Sequence, residues 1–390
     1  MKIGYIVHDL ADDAVHRRVR MLQSFGDVTV LGFRRSDNPV PDIAGLVPID
    51  LGRTIDARFG QRVAAVLHAA ATMRRWQEHL RHANILIARQ LEVLCLAAVL
   101  RNRVAPEAPL VFECLDIHRL MLDEHLVGIA LRSLERRLLS SCALLMVSSP
   151  AFLANHFARY GAAVPQALLL ENKVQADDVP ADVVARLPRL RAGGPPPGPP
   201  WRIGWFGVIR CRRSLQLLTE LATRLPNQIE VVIRGRPKRN VIPDFDALVA
   251  ATPGCRFLGE YDRHTDLPAI YSDVHFAWAI DFYEAGRNSD WLLPNRLYEG
   301  ALYGAVPLAL AAVETGRWLT AHRCGVCLPD GADRPLADSL WEHFRRLDAD
   351  AYAGMRHALA QVPVAALLDD AAAAARLGAT LTALPRRSAP

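Results

Sequence analysis

Two series of short apolar runs, separated by a stretch that suits neither helix nor sheet, constrain this chain more than any other feature. In the first half the runs fall at 2–7, 28–33, 84–88, 110–114, 143–148 and 167–170. In the second half the rhythm restarts at 202–206, 230–233, 255–258, 275–279 and 306–310. The intervening segments have helical patterning. Short, continuously apolar strands separated by helices belong to parallel sheets covered on both faces, the doubly wound α/β arrangement. Between the series lies Gly193-Gly194-Pro195-Pro196-Pro197-Gly198-Pro199-Pro200, which cannot continue a helix or sit inside a sheet. The spacing therefore predicts two parallel-sheet domains joined by a Pro/Gly-rich linker.

Composition narrows the partners. A chain of 390 residues has room for two cores of ordinary size. Hydrophobic content of 51% with 22% charged residues is that of a globular protein. The formal charge of +5 is small and dispersed, so nucleic acid is not an expected partner. Lysine occurs only at Lys2, Lys173 and Lys238, so nearly every cation is an arginine, the side chain that matches phosphate oxygens bidentately. Seven scattered cysteines, an odd number, argue for reduced thiols and a cytoplasmic location. The lone Cys324-Gly-Val-Cys327 has no second pair, and no spacing of ligands predicts a metal or cofactor. Met1-Lys2 leads straight into the first strand with no secretory pattern, and no run of about 20 uncharged apolar residues predicts a spanning helix.

Ligands of open parallel sheets bind beyond the carboxyl ends of the strands, so the residues after each strand carry the chemistry. In the second half, Leu292-Leu293-Pro294-Asn295-Arg296-Leu297-Tyr298-Glu299-Gly300-Ala301-Leu302-Tyr303-Gly304 reads as a short helix stopped by glycine, followed by a strand. Pro294 suits its first turn. Asn295 and Glu299 share one face near the positive helix end. Backbone N–H groups there can hold a diphosphate, and a carboxylate one turn in can accept both hydroxyls of a ribose. The same run also reads as an ordinary helix-to-strand unit with a polar face. After 202–206 comes Gly207-Val208-Ile209-Arg210-Cys211-Arg212-Arg213. A glycine that admits close backbone approach, with basic residues at a helix start, suits a diphosphate. Arg234 leaves the next strand just before Gly235, and Tyr261 follows the third. The fourth runs into a polar loop with Glu284, Asn288 and Asp290. In the first half, Asp9 follows strand 2–7, and Asp116 and His118 follow strand 110–114. A carboxylate or imidazole at such a place can take the proton of a hydroxyl nucleophile, although Asp116 can equally cap the next helix.

The run 292–308 is similar to the donor-binding segment of GT-B glycosyltransferases, which often reads L-P-N-K-L-x-E-x-x-x-x-G-x-P-V. The resemblance implies two doubly wound Rossmann-like domains facing across a cleft. It makes residues 1–176 the acceptor domain, 177–200 the linker and 201–365 the nucleotide-sugar domain. A terminal helix and tail at 366–390 is compatible with a return to the first domain. It implies Glu299 on the nucleotide ribose, Gly207, Arg210 and Arg212 at the diphosphate, and Tyr261 at the base. Arg234, Glu284, Asn288 and Asn295 are the remaining donor contacts. Asp116-x-His118 resembles the family's D-x-H element over the donor sugar, with Asp9 as a further candidate. Many retaining members carry a second Glu eight residues before the first, where this chain has Trp291; Glu284 and Asp290 are the nearby carboxylates. The likeness extends to exopolysaccharide-assembly enzymes of the succinoglycan type, which act without a metal on a growing or polyprenyl-diphosphate-linked glycan. A nucleotide-sugar 2-epimerase and a non-enzymatic nucleotide-sugar-binding scaffold share the architecture.

One stretch, 58–82, invites a second role. Phe59, Val63, Val66, Leu67, Ala70, Met73 and Leu80 recur at helical spacing, and Arg58, Arg62, Arg74, Arg75 and Arg81 face only Glu78. Such a helix can lie on an anionic membrane or simply pack its stripe on the domain, so the expected location is cytoplasmic or peripheral on the inner membrane face.

Overall fold

A computed structural model describes residues 1–386 apart from 37, 41 and 56–58, and the side chain of residue 59 is likewise outside the description. The chain forms two compact units, Met1–Glu171 with Ala371–Pro390, and Asn172–Asp370. The first holds β1 (Lys2–Val7), β2 (Asp27–Arg34), β3 (Ile49–Arg53), β4 (Ile85–Arg89), β5 (Leu110–Cys114), β6 (Leu144–Val147) and β7 (Gln166–Leu169) in the order β3-β2-β1-β4-β5-β6-β7. The second holds β8 (Val174–Gln175), β9 (Trp201–Ile209), β10 (Ile229–Pro237), β11 (Cys255–Phe257), β12 (Phe276–Trp278), β13 (Val306–Leu310), β14 (Val326–Leu328) and β15 (Leu368–Asp369). Its main sheet runs β11-β10-β9-β12-β13-β14, and β8 pairs with β15 separately. Every pairing between these strands is parallel. Both sheets thus have the doubly wound order, in which the chain reverses direction beside the first strand and leaves a crevice at the carboxyl ends.

The apolar runs explain the parallel sheets. Every residue of β4, β5, β6 and β13 is buried, as strands covered on both faces require. β3 and β14 escape the sequence pattern. β3 is an edge strand with alternating polar residues, and β14 overlaps the end of the Cys324-x-x-Cys327 run, whose cysteines are free thiols.

Three expectations need correction. The expected linker 177–200 contains a helix, Ala181–Ala192, despite Pro188, because Val183 and Leu187 are buried in the second unit's core. Arg191 on this helix donates to the carbonyls of Leu359 and Val362, and Arg356 donates to those of Gly304 and Arg191. The terminal helix expected from 366 begins only at Ala371. Leu368–Asp369 pairs with β8, and the helix Ala371–Thr382 packs Ala373, Ala374, Leu377 and Leu381 into the first unit's core. Gly378 permits that packing, since a Cβ there would stand 2.8 Å from the Phe25 ring. Finally, 58–82 is not one helix. Arg58 and the side chain of Phe59 lie outside the described residues. The helix Phe59–Ala71 is followed by two short 3-10 turns, as the Thr72 hydroxyl bonds back to the His68 carbonyl at 2.9 Å and Met73, Trp76 and Leu80 turn into the core.

The first unit's core also holds charge. Glu113, on β5, accepts from Tyr5 Oη at 2.6 Å, Arg18 Nε at 2.7 Å and Arg89 Nε at 2.9 Å. Burial pushes the Glu113 carboxyl up, but the two guanidinium groups overcome that and hold it at about 2. This hub ties β1, β4 and β5 together directly beneath their carboxyl ends.

Candidate active site

In the second unit the switch point lies between β9 and β12, and the expected donor residues gather at that end of the sheet. Gly207 and Gly235 are opposite one another in the β9–β10 register, with φ of +108° and +120°. A Cβ on Gly235 would stand 2.0 Å from the Gly207 carbonyl oxygen, so only glycine fits there. Above Gly207 a Cβ would meet only the Tyr261 hydroxyl, 3.9 Å away, which leaves its backbone open to close approach. Tyr261 packs edge-on to Phe206 with ring centroids 6.4 Å apart, on the loop after β11.

The helix Asn295–Tyr303 points its first turn at the same edge. Pro294 flanks it as the N-cap, one position earlier than expected, and caps no amide with a side chain. Gly304 ends the helix in the left-handed conformation, φ +91°. Glu299, one turn in, is only 2% exposed. Its Oε2 accepts from Tyr271 Oη at 3.0 Å, and its Oε1 lies 2.5 Å from Arg263 Nη2. Burial beside this carboxylate pushes the Tyr271 phenol up, so it remains a donor at neutral pH. The Tyr271 hydrogen bond and the Arg263 ion pair orientate this carboxylate in advance.

The expected cations separate into groups. Arg212 is committed to Asp244 through two oxygens, at 2.5 and 3.0 Å. Arg213 bonds Asp330 at 2.8 Å and lies over the Phe282 ring. Arg210 instead rests over the Tyr283 ring, 4.3 Å from its centroid, with Asp281 4.0 Å away. Arg234 has a buried Nε with no hydrogen-bond partner among the described residues. Arg210 and Arg234 are therefore the better placed for an anion. Glu284 and Asn288 lie in the loop after β12, where the Glu284 N–H donates to Ser289 Oγ at 2.9 Å and Asn288 is buried at the start of the helix Asn288–Trp291. Trp291 ends that helix.

The first unit gathers the other candidates at the carboxyl ends of β1, β4 and β5. Asp9 Oδ1 accepts from the Ala11 N–H at 3.1 Å, and its Oδ2 stands 3.5 Å from Arg35 Nε. Asp116 is exposed and accepts from Gln90 Nε2. His118, rather than Asp116, caps the following helix Arg119–Leu122: its Nδ1 accepts from the Leu120 N–H at 3.3 Å. That bond assigns the neutral tautomer with its proton on Nε2. Burial, reinforced by the Arg62 guanidinium, lowers the His118 pKa below its ordinary value. Near neutral pH His118 is thus an Nε2–H donor.

Sequence reasoning overlooked Gln90, the Arg62–Glu92 ion pair, Tyr271 and Arg263. Gln90 was within reach, since it directly follows a strand. Arg263 lies two residues beyond Tyr261 in a loop already of interest. Tyr271 carried no signal, because a tyrosine on a short helix reads as packing.

No known protein-family profile matches the chain. The succinoglycan biosynthesis protein ExoL of Rhizobium meliloti (strain 1021) is 47% identical over 337 residues, covering 85% of this chain and 82% of that protein. Among solved structures, sucrose-phosphate synthase from Thermosynechococcus elongatus superimposes with a TM-score of 0.69 at 15% identity, over 98% of both chains. Anabaena HepE in complex with UDP and glucose gives 0.65 at 14%, over 98% of this chain and 100% of that one. WaaG, a glycosyltransferase involved in lipopolysaccharide biosynthesis, gives 0.60 at 12% with the same coverage. At such identities the structures speak for the fold, and the ExoL match speaks for the family. The chain belongs to the family of the succinoglycan biosynthesis protein ExoL, and its fold is that of the GT-B glycosyltransferases.

Proposed function

We propose that the protein is a glycosyltransferase that moves a sugar from a nucleotide diphosphate donor to a lipid-linked glycan during exopolysaccharide assembly. The observation that carries this reading is Glu299: a pre-orientated carboxylate one turn into a helix with no side-chain cap, beside the open backbone of Gly207. Ribose hydroxyls meet Glu299, the diphosphate meets the first-turn amides with Arg210 and Arg234, and the base meets Tyr261. In the transfer, Asp116 takes the proton of the acceptor hydroxyl as its oxygen bonds the anomeric carbon. The bond from that carbon to the donor phosphate breaks, and the nucleotide diphosphate leaves with the electron pair. His118 donates from Nε2 to the reacting groups. Helix amides and arginines offset the leaving-group charge, so no metal is called for.

A lipid-linked acceptor is favoured by apolar side chains on the first unit. Leu67, on the helix Phe59–Ala71, is 65% exposed, and Leu126, at the start of the helix Leu126–Leu139, is 84% exposed. Both helices pack on the helix Leu91–Val104. Val63, Val127 and Ile129 extend the apolar surface, and Arg74, Arg136 and Arg137 are exposed cations of the same unit. Among the described residues no helix is long and apolar enough to cross a membrane.

Two measurements test the reading. The gene should restore exopolysaccharide to Rhizobium meliloti cells lacking ExoL, and Glu299→Ala should not. The protein should co-sediment with phosphatidylcholine vesicles only when phosphatidylglycerol is included; equal binding to both removes the anionic-membrane part alone.

A further inference from the structure

Gln90 combines three observations that stability does not explain. Its backbone sits at φ +80°, ψ 156°, a region that side-chain-bearing residues rarely adopt. It is the N-cap of the helix Leu91–Val104, yet its side chain makes no capping bond. That side chain turns away from the helix and donates its amide to Asp116 Oδ1. A residue chosen for folding would be glycine, which accepts the backbone, or serine, which caps the helix.

The surroundings enforce this conformation from several sides. The Gln90 N–H donates to the Glu113 carbonyl at 3.0 Å, and its carbonyl accepts from the Leu94 N–H at 3.0 Å. Arg89, the residue before it, is anchored on the Glu113 carboxylate and on the Ala14 carbonyl at 3.1 Å. The buried Glu113 hub therefore fixes the backbone on one side of Gln90, and the helix fixes it on the other. With the backbone so held, the side chain reaches Asp116 Oδ1.

We propose that Gln90 is a positioning residue, held in an unfavourable backbone conformation so that its amide orientates the Asp116 carboxylate toward the acceptor hydroxyl. This rests on the role given to Asp116 above. An amide donor at Oδ1 fixes the carboxylate plane and leaves Oδ2 to take the proton. It adds no charge that would oppose that proton.

Two variants separate this role from a structural one. Gln90→Gly relieves the backbone, and Gln90→Met keeps the side-chain bulk without the amide. Turnover is read as UDP release from UDP-glucose, with membranes of a Rhizobium meliloti strain lacking ExoL as acceptor. Both variants should lose roughly ten- to a hundredfold in turnover, the scale of a misplaced catalytic group. The donor KM should stay within about twofold, since Gln90 lies in the acceptor unit and not at the nucleotide. Gln90→Gly should also melt a few degrees higher than the native chain, about 2–4 °C. A stabler but slower variant is not what a purely structural residue gives. Adding Gln90→Gly to Asp116→Asn should cost nothing further. Turnover within twofold of native in both Gln90 variants, with Asp116→Asn inactive, overturns the positioning role alone. Near-native turnover in Asp116→Asn overturns the underlying assignment, and the inference with it. Absence of any turnover by the native chain overturns the reading on which both depend.

Discussion

Replacing Glu299 separates its part in donor binding from its part in packing. In the structure the carboxylate is buried, accepts from Tyr271 Oη at 3.0 Å and faces Arg263 at 2.5 Å. Glu299→Gln keeps the volume and an acceptor for Tyr271 but removes the charge. One charge-assisted hydrogen bond to a ribose hydroxyl becomes a neutral one, a loss of about 1 kcal/mol, or roughly fivefold in Kd. Glu299→Ala removes both acceptors and should weaken nucleotide binding by about 1–3 kcal/mol, roughly 5- to 150-fold. It also leaves the Tyr271 hydroxyl buried without a partner, a further stability cost of about 1–3 kcal/mol that appears in melting and not in affinity. Titration calorimetry with UDP gives the first quantity, and thermal melting monitored by circular dichroism gives the second. Cooperative melting of Glu299→Ala together with an unchanged Kd for UDP would refute the placement of the ribose at this carboxylate.

Further perturbations probe the other parts. Asp116→Asn and His118→Ala should reduce transfer by about 10²–10⁴-fold while leaving UDP affinity near native; near-normal turnover in both would shift attention to Asp9. Protonation of His118 at Nδ1 would end its bond from the Leu120 N–H and displace the ring; because its pKa lies below the ordinary value, transfer should hold from neutral pH down past the usual histidine midpoint and fall only at lower pH, and a decline centred on the ordinary midpoint would contradict the environment described. Arg210→Ala should weaken UDP much more than uridine, whereas Arg212→Ala should do little, since Asp244 already holds Arg212; equal losses for both ligands would indicate damage to the fold or the base pocket. Glu113 has a folded pKa of about 2 against an ordinary 4.5, so it stabilises the fold above pH 4.5 and loses that contribution as pH falls toward 2. The contribution is about 3 kcal/mol, and acid melting of Glu113→Gln should lack it.

The sequence carried the architecture because parallel strands buried on both faces must be apolar along their whole length, as β4, β5, β6 and β13 are. It carried the helix at Glu299 because Gly304 can stop a helix in a left-handed conformation that other residues rarely adopt. Other features were hidden for physical reasons. β3 is an edge strand whose polar alternation resembles a loop, and Pro188 masks a helix that tertiary burial of Val183 and Leu187 sustains. Arg212 looked like an obvious phosphate ligand, but sequence spacing could not reveal Asp244, which is 32 residues distant and accepts from both of its Nη groups. Gln90 was hidden for the opposite reason: its significance lies in a backbone angle, and no residue pattern records that.

The central claim is that this chain catalyses sugar transfer and does not merely bind or isomerise a nucleotide sugar. The most direct measurement incubates purified protein with radiolabelled UDP-glucose, with and without membranes from Rhizobium meliloti lacking ExoL, and follows both the lipid extract and the donor sugar. The account predicts label in the lipid fraction only when protein and membranes are both present, with stoichiometric UDP release and loss of the signal in Asp116→Asn. Conversion of the donor sugar without membranes would contradict it in favour of an epimerase, and tight UDP binding with no label transferred would contradict it in favour of a binding scaffold.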